Sequence, residues 1–318
     1  RIQSAISIAS GGQTDEKGVR TKYKRHAKSG PSRGSLYNDC PDELTDQWMY
    51  HAVANCILAN SLMRSQPEVI AEKIGLSGFS WGGVITSTTI GIDNRFMFAI
   101  PTYGCGHLYD ARNSYGVSLA NNKSYCQIWD PMIRIKNATM PVLWFSWPGE
   151  MHFPMDSLAY TYHGASGPRM VSLKPKMGHG GNFGSPESYD FADSIVATGS
   201  PWASQQSLTF VNNTAKVVFK SNKPLHSASL IYTTGNDEIT RNIKTNLTWI
   251  EKPLSAPVEG PSNMWTVTAA VPADTTSWFI NAKAKLDDAH KQFTYRGTDK
   301  QFRYRDTNLT VKIGRAHV

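Results

Sequence analysis

Apolar positions follow two different rhythms along the 318 residues, and the change falls near residue 200. In the first part, helical and extended spacings alternate. Between Thr45 and Ser65, Met49, Ala52, Val53, Cys56 and Ile57 share one face at the 3.6-residue period; Thr45 or Asp46 can cap the start and Pro67 lies past the end. That predicts an amphipathic helix. Lys73–Ser77 predicts a short strand, Val84–Ile90 a buried helix and Arg95–Tyr103 another strand. The nearly unbroken apolar run Pro141–Trp147 predicts a strand covered on both faces. Met155–Tyr162 starts a helix, Arg169–Leu173 is a strand and Pro186–Thr198 a helix. This alternation predicts an α/β fold with a mostly parallel sheet over residues 1–199.

After Gly199-Ser200-Pro201 the rhythm shortens. Leu208–Phe210, Ala215–Phe219, Ala228–Thr233, Thr245–Ile250, Trp265–Ala269 and Trp278–Ala282 are short alternating segments separated by Asn, Gly, Pro and Asp, which predicts a small all-β sandwich over residues 200–312. It carries no catalytic cluster. Trp249, Trp265 and Trp278 offer a carbohydrate-binding role, against which stands the ordinary place of tryptophan in a strand, the core.

The chemistry concentrates in the first part. Gly78-Phe79-Ser80-Trp81-Gly82-Gly83 lies between the strand ending near Ser77 and the helix beginning near Val84. A serine hydroxyl is a weak nucleophile, and a strained strand-to-helix turn exposes it to a base and to backbone N–H groups. Glycines 78 and 82 leave room for such a turn. The alternative is a glycine-rich turn with a solvated serine. Downstream, Glu150 follows the Pro141–Trp147 strand, and His179 follows the Arg169–Leu173 strand within Met177-Gly178-His179-Gly180-Gly181. The order nucleophile, acid, histidine makes Ser80, Glu150 and His179 a candidate triad, with the Trp81 N–H as oxyanion donor. Asp156 is the alternative acid. Asp130, before Pro131, suits a cap or turn. Tyr103, Trp147 and Phe153 neighbour these residues in sequence and are candidate walls of a short acyl pocket or a platform for a sugar ring; the alternative is core packing.

These residues carry a resemblance. The Gly-x-Ser-x-Gly-Gly-x-x-Thr form, Thr45-Asp46-Gln47-Trp48-Met49-Tyr50-His51, Pro101-Thr102-Tyr103-Gly104-Cys105-Gly106 and His152-Phe153-Pro154-Met155-Asp156-Ser157 together resemble bacterial α/β-hydrolases of the acetyl xylan esterase and dienelactone-hydrolase-like kind, closely over residues 1–199. The resemblance implies Ser80 as nucleophile, His179 as base, Glu150 as acid and acetyl esters of plant polysaccharide as substrate, without metal or organic cofactor. Relatives usually place Asp where this chain has Glu150. Two rivals stand beside it: a prolyl-oligopeptidase-like serine peptidase, whose accessory domain precedes the hydrolase domain rather than following it, and a catalytically inactive carbohydrate-binding protein on the same fold.

Composition narrows the partners. Forty per cent hydrophobic residues mark a core-forming chain, and no run has the length to cross a bilayer. The net charge of +8 comes largely from Lys17, Arg20, Lys22, Lys24, Arg25, Lys28 and Arg33, with no acid between them, a solvated loop rather than a nucleic-acid surface. Composition therefore favours neither nucleic acid nor membrane as partner; a small-molecule or polysaccharide ester is what the resemblance implies. Cys40, Cys56, Cys105 and Cys126 lack metal-ligand spacing and leave open one or two disulfides or buried free thiols.

Both ends read as artificial. The chain has no initiator Met or signal peptide, and Ile313–Val318 matches one reading frame of a sequencing adapter, as in a truncated metagenomic read. The expected localisation of the intact protein is secreted or periplasmic in a bacterium. No His-Gly-Gly-Gly-like loop supplies a second oxyanion donor before Ser80. If Ile2–Ala9 and Lys73–Ser77 are the fourth and fifth strands of the fold, the strand between them is missing, and the sheet is expected to carry a gap.

Overall fold

The computed structural model describes residues 5–8, 13–17, 23–25, 27, 29–32, 36–175, 177–180, 185–235, 247–285, 293–294, 301–302, 306–310 and 314–315. They form two compact units, one comprising Arg1–Met140 with His152–Gly167 and the other Pro141–Met151 with Pro168–Val318.

In the first unit, β1 (Gln13–Lys17) and β2 (Tyr23–Arg25) form an antiparallel pair. The basic stretch read as a loop thus holds β2 and only the last residue of β1, polar strands that give no apolar alternation to reveal them. Of the stretch Ile2–Ala9 expected as a strand, only residues 5–8 are among those described; they belong to no strand, and 5–7 are exposed. Apolar alternation makes a strand only where a neighbour takes up the backbone groups. Helix α1 (Trp48–Arg64) buries Met49, Ala52, Val53 and Cys56 as its pattern requires. Its start differs from the expectation. Leu44–Asp46 form a separate 3-10 turn, and Asp39 Oδ2 accepts the Trp48 N–H at 2.6 Å.

Strand β3 (Gly75–Phe79) leads into α2 (Trp81–Thr89) and pairs in parallel with β4 (Phe98–Thr102). Among the described residues no strand pairs with the other edge of β3. Two short helices, α3 (Ser114–Ala120) and α4 (Lys123–Ile128), follow, and α5 (Met155–Gly164) completes the unit. Asn113 caps α3 by accepting the N–H groups of Tyr115 and Gly116. All four cysteines are free thiols. Burial pushes Cys40, Cys56 and Cys126 up to about 11, which keeps them as unreactive thiols near neutral pH.

A charged clamp ties α1 to the turn after α2. Asp93 accepts from Arg95 Nε (2.8 Å), Arg95 Nη2 (2.7 Å) and Asn60 Nδ2 (3.1 Å). Burial by itself raises the Asp93 pKa, but the hydrogen bonds from Arg95 and Asn60 outweigh it and hold the carboxyl below its ordinary value. Because the folded-state value is the lower one, the stabilisation is complete above the unfolded value of roughly 3.9 and is lost as pH falls through the folded one. Arg95→Ala is expected to cost about 1 kcal/mol at pH 7, a modest figure because Arg95 is partly exposed. The gap between the urea midpoints of the two proteins should shrink as pH falls from 7 to below the unfolded value of roughly 3.9; an equal gap at both ends of that range would refute this linkage.

In the second unit, β5 (Val142–Ser146) and β6 (Arg169–Leu173) pair in parallel, and β5 is wholly buried. Helix α6 (Pro186–Thr198) ends at Gly199, whose φ of 73° needs the freedom of glycine. Two antiparallel sheets follow. One, in the order β11-β12-β8-β7, contains β7 (Ala203–Val211), β8 (Thr214–Ser221), β11 (Val258–Gly260) and β12 (Met264–Ala270). The other, β10-β9-β13-β16, contains β9 (Leu225–Thr233), β10 (Ile250–Pro253), β13 (Ser277–Lys285) and β16 (Asp306–Thr310). β14 (Phe293–Thr294) pairs with β15 (Gln301–Phe302). β17 (Gly314–Arg315), inside the stretch read as an adapter, pairs with β13. The β7–β8 hairpin turns on Asn212 and Asn213, both with positive φ, as a two-residue turn demands.

Trp278 of β13 packs on Phe210 of β7 with ring centroids 5.3 Å apart, which joins the faces of the two sheets. Trp265 and Trp278 are core residues, so neither presents the open ring face that sugar stacking needs. Trp249 rests on Phe279, and only it keeps partial exposure. Asn281, fully buried on β13, donates through Nδ2 to the Leu173 carbonyl at the end of β6 (2.9 Å).

Candidate active site

The first unit builds a serine turn. The β3–β4 ladder continues one residue past β3, where the Ser80 N–H donates to the Thr102 carbonyl at 3.0 Å. The chain then reverses: Ser80 sits at φ 56°, ψ −118°, a strained conformation for a residue with a Cβ. Its carbonyl accepts the N–H groups of Gly83 and Val84, the first bonds of α2. Trp81 opens that helix, so its N–H belongs to the first turn, whose donors have no helical carbonyl before them.

The glycines around Ser80 divide differently from the expectation. A Cβ on Gly78 would lie 2.0 Å from the Gly82 carbonyl oxygen, so Gly78 is required. A Cβ on Gly82 would meet nothing within 4 Å. The second tight position is Gly83, against Thr102 O (2.6 Å) and Gly104 N (2.7 Å). Gly104 returns the contact, 2.1 Å from Val84 N. Helix α2 therefore touches the end of β4 backbone to backbone. Between Thr102 and Gly104, Tyr103 adopts φ 63° with a Gly104 N–H to Thr102 carbonyl bond of 2.8 Å, which turns the chain under the helix.

Aromatic rings surround Trp81. Its ring centroid lies 5.4 Å from Tyr37, 5.6 Å from Trp48 and 5.7 Å from Tyr115. Tyr103 and Phe153 have no exposed surface and pack against Phe79 and Tyr115. Their position is the core-packing alternative. Asp130 caps the turn Pro131–Ile133 by accepting the Met132 N–H, as its place before proline suggests, and also accepts the His107 N–H. Asp156 lies in the first turn of α5 and accepts the Ser157 N–H at 2.8 Å.

The second unit brings the acid and the histidine together. Glu150 closes a turn whose N–H donates to the Trp147 carbonyl at 3.3 Å, directly after β5. Its carboxylate is fully buried, and Oε2 lies 2.8 Å from His179 Nδ1. A carboxylate only accepts, so this contact suits the neutral tautomer in which Nδ1 is the donor and Nε2 the acceptor. His179 stands between Gly178 (φ 73°) and Gly180 (φ 112°), two left-handed positions that favour glycine and swing the histidine clear of β6. The base of its loop is anchored. The Lys174 N–H donates to the Ser146 carbonyl (2.9 Å), and Lys174 Nζ meets the buried Glu187 of α6 at 3.1 Å. One contact was not legible beforehand: Trp147 Nε1 donates to Glu150 Oε2 at 3.0 Å. The aromatic residue expected as a wall or platform for substrate is thus also a hydrogen-bond partner of Glu150.

A strained serine between a parallel strand and a helix, followed in the chain by an acid and a histidine at the ends of two further parallel strands, decides the architecture. The fold is that of the α/β-hydrolases. No protein-family model matches the chain, and neither does any curated protein. Among solved structures, the chain is similar to an acetyl xylan esterase from Paenibacillus sp. R4, with 22% identity over 47% of this chain and 54% of that one, at a TM-score of 0.42. It is also similar to acetyl xylan esterase 1 from Thermoanaerobacterium sp. JW/SL YS485, with 17% identity over 58% and 60% at 0.43. A third likeness is to an acylaminoacyl peptidase from Pyrococcus horikoshii, with 21% identity over 42% and 24% at 0.36. The chain spans only a little over half the length of the two esterases. Among the described residues no three His, Cys, Asp or Glu side chains converge as a metal site, and no helix is long and apolar enough to cross a membrane.

Proposed function

We propose that the chain is the core of a serine carboxylic-ester hydrolase that works through an acyl-enzyme. The observation that carries the reading is the buried Glu150 bonded to His179 Nδ1, which leaves Nε2 as a base, in a chain that also holds a serine on a strained turn. His179 takes the Ser80 proton as Ser80 attacks the ester carbonyl. The N–H of Trp81 holds the oxyanion, and Glu150 stabilises the imidazolium. The imidazolium then protonates the leaving alcohol, and water repeats the sequence on the acyl-enzyme to release the acid.

The acyl group is short and the alcohol bulky. Rings packed on Trp81, directly beside the nucleophile in sequence, support the first part. Motif resemblance to acetyl xylan esterases supports acetylated xylan as the alcohol component. A polymer of that size is met outside the cytoplasm, so the same reading makes the protein secreted or periplasmic.

Hydrolysis of p-nitrophenyl acetate, octanoate and a proline anilide tests the assignment, with a fluorophosphonate probe read by peptide mass. The expected result is labelling of Ser80, turnover of the acetate, a falling rate toward octanoate and none on the anilide. Preference for the anilide would make the protein a peptidase. Failure of the probe to label would point to a carbohydrate-binding protein on a hydrolase fold.

A further inference from the structure

We infer that Trp147 is a positioning residue that pins the carboxylate of Glu150 behind His179. The inference rests on the proposed roles of Glu150 and His179. Glutamate has one methylene and one torsion more than aspartate, so its carboxylate sweeps a wider arc and needs an additional restraint to hold one oxygen on an imidazole. The turn after β5 supplies that restraint. Trp147 and Glu150 are its first and last residues, joined by the Glu150 N–H to Trp147 carbonyl bond. The indole folds back across the turn, and Nε1 donates to Oε2, the oxygen that also receives the His179 Nδ1 proton.

Gly149 makes the folding back feasible. A Cβ there would lie 2.4 Å from Cζ3 and 2.7 Å from Cη2 of the Trp147 ring. The sequence Trp147-Pro148-Gly149-Glu150 is thus a self-contained clamp: a ring with a donor, a residue without a side chain beneath the ring, and the acid the donor reaches. The indole is neutral and does not titrate, so it fixes the carboxylate without competing with the imidazolium for its charge. It also gives the buried oxygen a second hydrogen bond, which lowers the tendency of the side chain to leave the histidine.

The test uses the whole protein. Trp147→Phe keeps an aromatic ring and loses the donor; Gly149→Ala keeps the donor and displaces the ring. Each is expected to lower kcat on p-nitrophenyl acetate about tenfold with KM unchanged, the loss of one orienting hydrogen bond. In a Glu150→Ala background Trp147→Phe should have no further effect, because the indole acts only through that carboxylate. A rise in KM in both backgrounds would instead make Trp147 a substrate wall and overturn the inference. The second readout does not depend on turnover: the downfield proton resonance of His179 Nδ1 should broaden in Trp147→Phe and Gly149→Ala. An unchanged resonance would refute the clamp, whereas a broadened resonance in a protein that hydrolyses no ester would uphold it and refute the proposed function alone. Far-ultraviolet circular dichroism, unchanged in at least one of the two variants, separates positioning from misfolding.

Discussion

Ser80→Ala is expected to lower p-nitrophenyl acetate turnover by about 10⁶, and His179→Ala by a similar factor. In the proposed mechanism nucleophile and base share one event. Without Ser80 there is no acyl-enzyme, and without His179 nothing takes the serine proton, so each loss removes the whole covalent route. For the same reason the double variant should be no slower than either single one, and any residual rate would come from binding and the oxyanion donor. Glu150→Ala should be less severe, about 10⁴, because His179 would keep its place in the chain but lose the partner that fixes its tautomer. Rates measured with both single variants decide the matter. Retention of more than a tenth of the activity by either would dismantle the mechanism, and a large loss with Asp156→Ala but none with Glu150→Ala would transfer the acid to α5.

Gly104→Ala is expected to destabilise the protein by about 3 kcal/mol or more, the upper end for overpacking. The added methyl would stand 2.1 Å from Val84 N and 2.2 Å from Gly83 C. These are backbone atoms of a helix, with no rotamer to turn aside, so α2 would have to move away from β4 and carry the Ser80 turn with it. The same argument applies to Gly83, whose Cβ would meet Thr102 O and Gly104 N. Gly82→Ala is the control, with open space at the Cβ position and no positive φ; alanine in a helix there should be neutral or stabilise by up to about 1 kcal/mol. Thermal unfolding of the three variants checks this. An equal drop for Gly82→Ala and Gly104→Ala would mean that the packing of α2 on β4 is not what these glycines serve.

Where the chain's pattern carries a strong physical signal, sequence and structure agree. β6 and α6 run over the residues that their patterns mark, Arg169–Leu173 and Pro186–Thr198, because a β-rich apolar run and a helix opened by proline and closed by glycine each admit one local solution. Ser80 is visible for the same reason. The region between β4 and β5 is not: α3 and α4 have seven and six residues, too short for a periodic stripe, and α3 depends on the Asn113 cap. Contacts between residues whose roles are set by three-dimensional approach are equally silent. Gly82 and Gly83 are indistinguishable in the motif, and only the path of β4 past the helix makes the second indispensable. Trp147 suggests a surface for substrate when read alone, since nothing in a one-dimensional string reveals that its indole N–H turns back on the glutamate three residues later.

The bond from Asn281 to the Leu173 carbonyl changes what can be exchanged between proteins of this design. Leu173 is the residue from which the chain departs toward Lys174 and His179, and Asn281 belongs to the antiparallel sheets more than a hundred positions later. A chimera that grafts a foreign C-terminal segment onto this chain at Gly199 would keep the histidine and lose the buried Asn281 donor to the Leu173 carbonyl. The break in composition at Gly199-Ser200-Pro201 marks a change of secondary structure and not a seam for cutting. Recombination that preserves the histidine loop must carry β13 with it.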